Sequence, residues 1–379
     1  MILDHQLAQQ IVDRTMAIIG YNINVMNHAG IIIGSGEPSR LGQIHDGAIL
    51  ALKHGDSIEL NEQSCASLKG VKPGINMILR SNLQVVGIVG ITGNPEEIRD
   101  FANLVKMTAE MIIDQAALVE QLQWDRRHRE EFISAWIGNN LTQEELADWA
   151  ARLSIDLSKP RVAVIIEFKQ QNTPKSLQSI RKVVDLLEYP ERDNLVAVIS
   201  MNEIVVLKPC TSISQWDSEH ESQRIDTLLK RLDEHHISGF NIALGQPFPD
   251  SLNVHLSYQS AKQVLHIGKQ HRPQQHKFLY EDLRLPVLLS PLNDYWQGEQ
   301  LCEPIVTLKT KDKSGQLLKT LEALFLCNGN ANECAKHLYI HRNTLRYRLD
   351  KISEITGLST SDFIGLAELY IAYQISKLR

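Results

Sequence analysis

Residues 331–352, ANECAKHLYIHRNTLRYRLDKI, decide how this chain is read. Ala331–Leu338 sets Cys334, Ala335 and Leu338 on one face of a short helix. Asn330 or Asn332 caps it, because a short polar side chain accepts from the free N–H groups of a first turn. Tyr339–His341 is long enough only for a turn. Beyond it Leu345, Leu349, Ile352 and Ile355 recur at helical spacing, an apolar stripe on a second helix. Gly357 ends that helix as a left-handed cap. Two short helices joined by a tight turn form a helix-turn-helix.

The other side of the second helix carries Asn343, Arg346, Tyr347 and Lys351, with Arg342, Thr344 and Arg348 on the flanks and His341 at its start. Asp350 is the only acid between Arg342 and Lys351. Charge alone favours a solvated basic face, which is what charge runs usually are. The short first helix, the tight turn and the small Ala335 at the expected crossing favour DNA. Arginine pairs bidentately with guanine, asparagine with adenine, and threonine or tyrosine holds phosphate. These eight residues are the expected DNA contacts, with the N-terminal ones nearest the base edges.

The gap-free run AKHLYIHRNTLRYRLDKISEITGL, residues 335–358, resembles the C-terminal helix-turn-helix of purine-catabolism-type and sugar-diacid-type bacterial regulators. The resemblance implies a DNA-binding transcription regulator whose partner is operator DNA.

The chain has 379 residues, enough for two or three domains. Its hydrophobic content of 43% and charged content of 22% are those of an ordinary globular protein. A net charge of −6 means that the basic patch is local, set in an acidic body that suppresses indiscriminate DNA binding. Cysteines stand at 65, 210, 302, 327 and 334 without a C-x-x-C pair. This pattern predicts reduced thiols, with no disulfide framework, metal site or cofactor. No apolar run reaches the roughly 20 residues of a membrane span, and MILDHQLAQQIVDR lacks a signal-peptide layout. The expectation is a cytoplasmic protein with no membrane partner, sensing something inside the cell.

Residues 1–135 read as an α+β sensor. Leu3–Ile19 forms a helix, and Asn22–Met26 and Ile31–Gly34 form a hairpin around Asn27–Gly30. A loop then leads to a helix near His45–Leu52. Gly74–Leu79 and Val85–Thr92 are further strands, with Asn82 in their turn. Helix, hairpin and long antiparallel strands suggest a PAS/Cache-like fold. Ser35, Arg40 and His45 lie in one segment, and Lys72, Asn76 and Arg80 in or beside a second. Each alone reads as a solvated surface group. Together they offer a guanidinium fork and amide donors suited to a carboxylate, with backbone N–H groups from the glycine-rich stretches 34–36 and 70–74.

This third resembles the sugar diacid recognition domain, through AQQIVDRTM (8–16), NINVMN (22–27), GIIIGSG (30–36), RLG (40–42), HDGA (45–48), VKPGIN (71–76), VVGIVGITG (85–93) and LVKMTAEM (104–111). The resemblance implies a ligand such as glucarate, galactarate or glycerate, and activation of genes for its uptake and breakdown.

Pro95 opens a long helix at a position that does not need its missing N–H. Ile98, Phe101, Val105, Thr108, Ile112, Gln115, Val119 and Leu122 repeat at alternating 3 and 4. Leu104, Met107, Met111 and Leu118 form a second face. One face can pack on the sensor and the other on a partner, which predicts a homodimer. The polar run Asp125–Glu131 reads as a hinge.

Residues 136–300 alternate in type. Leu146–Leu153 and Ser251–Ile267 read as helices, Arg161–Phe168 and Phe240–Leu244 as strands, and Asn194–Ser200 with Glu203–Leu207 as a hairpin around Met201-Asn202. The segment resembles the degenerate diguanylate-cyclase-like domain of these regulators. Its hairpin VISMNEIVV (198–206) lacks the paired glycines and metal-binding acids that a working cyclase needs, so a structural or signalling role is expected. Pro286, Pro291 and Pro304 punctuate the passage into an all-α C-terminal domain, 301–379, with helices at Leu317–Leu326 and Phe363–Ser376.

No catalytic residues are expected, because no phosphate loop, metal cluster or nucleophile motif is present. An enzyme of sugar-acid or nucleotide metabolism is the alternative that substrate turnover would reveal. A protein–protein adaptor is another, which salt-dependent, sequence-selective DNA binding would exclude.

Overall fold

A computed structural model of the chain describes residues 3–66, 68, 71–169, 175–188, 193–210 and 216–378. The chain divides into two compact units, Met1–Arg127 and His128–Arg379. Among the described residues no helix is long and apolar enough to cross a membrane.

The first unit opens with α1 (His5–Ile19), started by Asp4, whose carboxylate accepts from the Leu7 N–H at 2.8 Å. β1 (Ile23–Met26) and β2 (Ile32–Ser35) form the expected hairpin. A single 3-10 turn (Pro38–Arg40), α2 (Asp46–His54), β3 (Ile58–Leu60) and α3 (Glu62–Cys65) follow. β3 and α3 were not expected. β4 (Gly74–Ser81) and β5 (Gln84–Thr92) are joined by Asn82 and Leu83, both left-handed at φ 48° and 67°. Two left-handed residues give the turn whose twist matches that of the flanking strands. α4 (Pro95–Ile137) is the long helix. Gly70, of the expected glycine-rich stretch, lies outside the described residues.

The strands form one antiparallel sheet in the order β2-β1-β5-β4-β3. Side chains alternate between its faces. Ile23, Val25, Ile75, Met77, Leu79, Val89 and Ile91 meet Ala8, Ile11 and Val12 of α1 and Ile98, Ala102, Val105, Ala109 and Ile113 of α4. The expected heptad seam is thereby split. Ile98, Val105 and Ile112 are buried, whereas Phe101, Val119 and Leu122 are exposed beside the outward Leu104, Met107, Met111 and Leu118. The run Asp125–Glu131, expected as a hinge, is helical throughout, because α4 continues to Ile137.

In the second unit α5 (Gln143–Arg152) begins with a reciprocal capping box between Thr142 and Glu145. β6 (Arg161–Phe168), α6 (Lys175–Leu187), β7 (Leu195–Ser200), β8 (Glu203–Pro209), α7 (Ser218–Glu234), β9 (Phe240–Leu244), α8 (Val254–His271) and β10 (Lys277–Leu279) follow. The sheet order is β10-β9-β6-β8-β7, with β10 parallel to β9 and the other pairs antiparallel. Both faces are covered, which is why the strands read as nearly continuous apolar runs. Ala163, Ile165, Ala197, Val205 and Ala243 pack with Phe132, Ile133, Trp136 and Ile137 of α4, with α5 and with α8. Val162, Val164, Ile166, Val206 and Ile242 pack with α6 and α7.

α9 (Tyr280–Leu289), α10 (Trp296–Lys311), α11 (Gln316–Leu326), α12 (Ala331–His337), α13 (Arg342–Thr356) and α14 (Phe363–Leu378) complete the unit. Pro286 and Pro304, expected to punctuate the passage into the C-terminal domain, lie inside α9 and α10. α9 accommodates its proline by a kink at Leu283, where φ is −123°. Ile305, Leu308, Leu321, Ile352, Leu369 and Tyr373 gather α10, α11, α13 and α14 around one core.

α1 sits so close to β2 that a Cβ on Gly34 would lie 2.6 Å from the carbonyl carbon of Ala8 and 2.7 Å from its oxygen. Gly34→Ala therefore forces a backbone shift, and overpacking of this kind costs about 1–3 kcal/mol. A lowered thermal midpoint in the variant is the expected result of calorimetry; an unchanged midpoint would mean that α1 does not seat on β2 this closely.

Candidate functional site

The face of the first sheet turned away from α1 and α4 carries a polar row. Register places Ser35 opposite Asn24, Asn24 opposite Gly90, Gly90 opposite Asn76, and Asn76 opposite Ile58. Asn24, Ser35 and Asn76 are only 1%, 2% and 3% exposed. Asparagine is depleted from strands, and buried polar groups need partners. Ser35 has them: its Oγ donates to Asn24 Oδ1 at 2.6 Å and accepts the Glu37 N–H at 3.0 Å. Gln9 of α1 holds the Ser35 backbone from both sides, at 3.1 and 3.2 Å. Asn76 Oδ1 has no hydrogen-bond partner among the described residues. Gly90 leaves room for it, since a Cβ there would lie 2.7 Å from that oxygen.

α2 covers this row. Its N-cap is His45, whose Nδ1 accepts the Ala48 N–H at 3.2 Å, so the ring hydrogen resides on Nε2. His45 is buried, and its pKa is pushed down to about 4 by that burial first and by the Arg40 guanidinium second. The imidazole is therefore a neutral donor near pH 7. Gly47, in the first turn, is the point of closest approach: a Cβ there would lie 2.9 Å from Asn76 Nδ2 and 3.1 Å from His45 Cε1.

Of the six residues expected to bind a ligand, Ser35, Arg40, His45 and Asn76 are buried. Ser35 and Asn76 lie on the row, and His45 packs beside Asn76 at Gly47. Lys72 reaches the Ser35 end of the row through Glu37, whose N–H donates to Ser35 Oγ, whereas Arg80 stands at the other end of α2. Lys72 is exposed and pairs with Glu37 at 2.8 Å. Arg80 is exposed, and its guanidinium donates to the carbonyl of Gly55, at the opposite end of α2, at 3.2 Å. Asn24, Gly47 and Gly90 were missed. An asparagine inside each of the apolar runs INVM and GINMIL was the available signal.

At the other end of the chain, Asn330 starts α12, accepting from the N–H groups of Asn332 and Glu333 at 3.0 and 3.3 Å. Cys334, Ala335 and Leu345 pack together beneath the turn. Tyr339 turns the chain at φ 56° and is 96% exposed. His341 caps α13 through Nδ1, which accepts the Asn343 N–H at 3.3 Å, and Gly357 closes the helix at φ 74°. Leu345 and Ile352 are buried, so Arg342, Asn343, Thr344, Arg346 and Tyr347 face outward. The side chains of Arg342, Asn343, Thr344 and Arg346 make no hydrogen bond or ion pair among the described residues. Arg348 is engaged instead: its guanidinium donates to Gln316 Oε1 at 2.8 Å and Thr320 Oγ1 at 3.4 Å on α11. Lys351 pairs with Glu354 at 2.8 Å.

In the middle segment Glu167, at the end of β6, has both carboxylate oxygens bound by Lys269 Nζ at 2.8 Å. A lysine thus neutralises the acid at that end of the sheet.

Three family models match. "Putative sugar diacid recognition" covers residues 3–136, "GGDEF-like domain" covers 138–267, and "PucR C-terminal helix-turn-helix domain" covers 317–375. The "Carbohydrate diacid regulator" of Escherichia coli (strain K12) is 42% identical over 380 residues, covering 100% of this chain and 99% of that protein. An uncharacterised protein of Haemophilus influenzae is 37% identical over 375 residues, 98% of each chain. The "Proline-responsive transcriptional activator PutR" of Bacillus subtilis is 25% identical over 256 residues, 65% of this chain and 62% of that one.

The state of His45 sets a pH dependence. The folded chain keeps the ring neutral down to about pH 4, whereas an unfolded histidine protonates near 6.5. Between those values the unfolded chain binds more protons, so the contribution is complete above about pH 6.5 and is lost as pH falls to about 4. Up to about 3 kcal/mol is involved. His45→Asn keeps a capping acceptor but does not titrate there. Thermal midpoints from pH 7 to pH 4 are expected to fall less steeply in the variant; parallel curves would remove His45 as the cause.

Proposed function

The chain belongs to the carbohydrate diacid regulator family, and on that footing we propose that it is a DNA-binding transcriptional activator that answers to a sugar diacid or glycerate. As a family member ending in a helix-turn-helix, it is a transcriptional regulator and not an enzyme. The observation that carries the DNA-binding reading is the outward face of α13, where Arg342, Asn343, Thr344 and Arg346 have unspent hydrogen-bonding capacity. Such groups reach base edges and phosphates when a second helix enters the major groove. His341, Tyr347, Arg348 and Lys351 complete the proposed contact set, the last two after exchanging their present partners for phosphate.

The ligand is glucarate, galactarate or glycerate, held in the first unit near Ser35, Arg40, His45 and Asn76, with Lys72 beside them through Glu37 and Arg80 at the other end of α2. The strand order β2-β1-β5-β4-β3 supports a PAS/Cache-like sensor. Functionally the chain divides into a sensor with its long helix (1–135), a signal-transmitting GGDEF-like segment (136–300) and the DNA-binding domain (301–379). Two copies pair through the outward apolar face of α4. Ligand binding shifts an existing equilibrium between dimer arrangements, changing how the two recognition helices meet their half-sites. The target genes serve uptake and breakdown of the ligand, and activation accords with the relative named as a transcriptional activator. The protein works in the cytoplasm.

Calorimetric titration with glucarate, galactarate, glycerate and a neutral sugar tests the ligand. Saturable binding of an acid, and none of the neutral sugar, is expected; silence from every acid would remove the ligand assignment and leave the DNA-binding end standing.

Arg346→Ala and Asn343→Ala are each expected to reduce discrimination between operator and unrelated DNA about 10- to 100-fold, the worth of a bidentate base contact. Arg348→Ala should lower the thermal midpoint and weaken binding to both DNAs alike. Mobility-shift titrations compare them, and unimpaired operator preference in both of the first two variants would overturn the helix assignment.

A further inference from the structure

We propose that the first turn of α2 and Asn76 together read one 2-hydroxycarboxylate end of the ligand, the carboxylate at the Gly47 N–H and the adjacent hydroxyl at Asn76 Oδ1. This rests on the reading that the first unit binds a sugar acid, and it names the chemical group that the site requires.

Two unsatisfied groups lie on neighbouring elements, the first turn of α2 and β4, with Asn76 Nδ2 the atom nearest Gly47 and Oδ1 set against Gly90. Gly47 is buried, and its N–H has no hydrogen-bond partner among the described residues. It belongs to the first turn of a nine-residue helix, where free N–H groups and the helix dipole favour an anion. Asn76 Oδ1 is the complementary case, a buried acceptor without a donor. A carboxylate at pH 7 cannot supply that hydrogen, because it only accepts. A hydroxyl can. The helix turn and the asparagine are in contact, with the Cβ direction of Gly47 ending 2.9 Å from Asn76 Nδ2. One small ligand fragment that presents an anionic acceptor and a neighbouring donor would satisfy both. A carboxylate bearing a hydroxyl on its neighbouring carbon has that layout.

The surroundings carry both signs, since the half-buried Asp46 of the same first turn acts on His45 against Arg40. Arg40 and His45 are both buried beside this turn, a guanidinium and a neutral imidazole with hydrogen on Nε2. No acidic side chain is among the buried polar residues of the described part of this unit. The exposed Lys72 is paired with Glu37, and Arg80 lies at the far end of α2. The buried contacts thus suit one end of an acid. A sugar diacid and a short 2-hydroxy monoacid present the same end, so chain length matters less than the hydroxyl beside the carboxylate.

Leaving a buried acceptor unmatched is costly, so acids lacking the hydroxyl are penalised. The test is calorimetry of the full chain with glycerate against 3-hydroxypropionate, which lacks the 2-hydroxyl, and glucarate against adipate, which lacks every hydroxyl. The hydroxylated member of each pair is expected to bind about 10- to 100-fold more tightly. Asn76→Leu should collapse both ratios to about threefold or less, chiefly by weakening the hydroxylated acid. Thermal unfolding establishes whether that variant is folded, and the ligand pairs decide the matter on the unmutated chain if it is not. Equal affinities within each pair would overturn the proposal while leaving the sugar-acid reading intact. Failure of all four acids to bind would overturn both.

Discussion

The packing of α4 against one face of the first sheet is the contact on which the N-terminal site depends. Ile98, Val105, Ala109 and Ile113 meet Ile75, Met77, Val89 and Ile91 there. Strand side chains alternate, so committing the odd-numbered residues of β4 to this core sends Asn76 to the other face. A slip of one residue would exchange the two sets, exposing the core and burying the amide against α4. The apolar contact therefore places the polar row as firmly as its own hydrogen bonds do. It also sets how much of that row is spent. Ser35 and Asn24 satisfy one another, while Asn76 reaches across Gly90 with its oxygen unmatched.

The same division of labour recurs in α13. Leu345 and Ile352 are sunk among α10, α11, α12 and α14, and that burial fixes the rotation of the helix. Arg342, Asn343 and Arg346 are outward because the apolar residues between them are inward. Arg348 shows that a positive charge near this face is not sufficient for an outward role. Its guanidinium lies within reach of Gln316 and Thr320 and holds α11 to α13. The helix thus separates into residues that seat it and residues that are available.

The patterned parts of the chain were legible from sequence. The helix-turn-helix, both N-terminal hairpins and the β7–β8 hairpin follow from periodicity and turn residues, and the structure has them within a residue or two. β3 and α3 were not, because three- and four-residue elements offer too few positions to show a period. The run 125–131, expected as a hinge, is helical because polarity on an exposed helix does not break it, and the boundary between the two compact units falls within it. Two of the prolines that punctuate the passage into the C-terminal domain lie inside helices, Pro286 in α9, which is kinked at Leu283, and Pro304 in α10. In the candidate site, charge guided the choice of Lys72 and Arg80, and exposed charges find local partners such as Glu37 and the Gly55 carbonyl. Asn24, Gly47 and Gly90 become visible only with strand register and helix placement, which are long-range facts.

The engagement of Arg348 and Lys351 bears on how regulators of this type diverge. The side chains that seat α13 and tie it to α11 are distinct from those at 342, 343 and 346, which make no side-chain hydrogen bond or ion pair among the described residues. Drift at these three positions therefore carries little folding penalty, whereas drift at 345, 348 or 352 is punished before any question of DNA arises. After gene duplication, one copy could change the chemistry of this outward face through a few surface substitutions while inheriting its first unit and its helical scaffold intact.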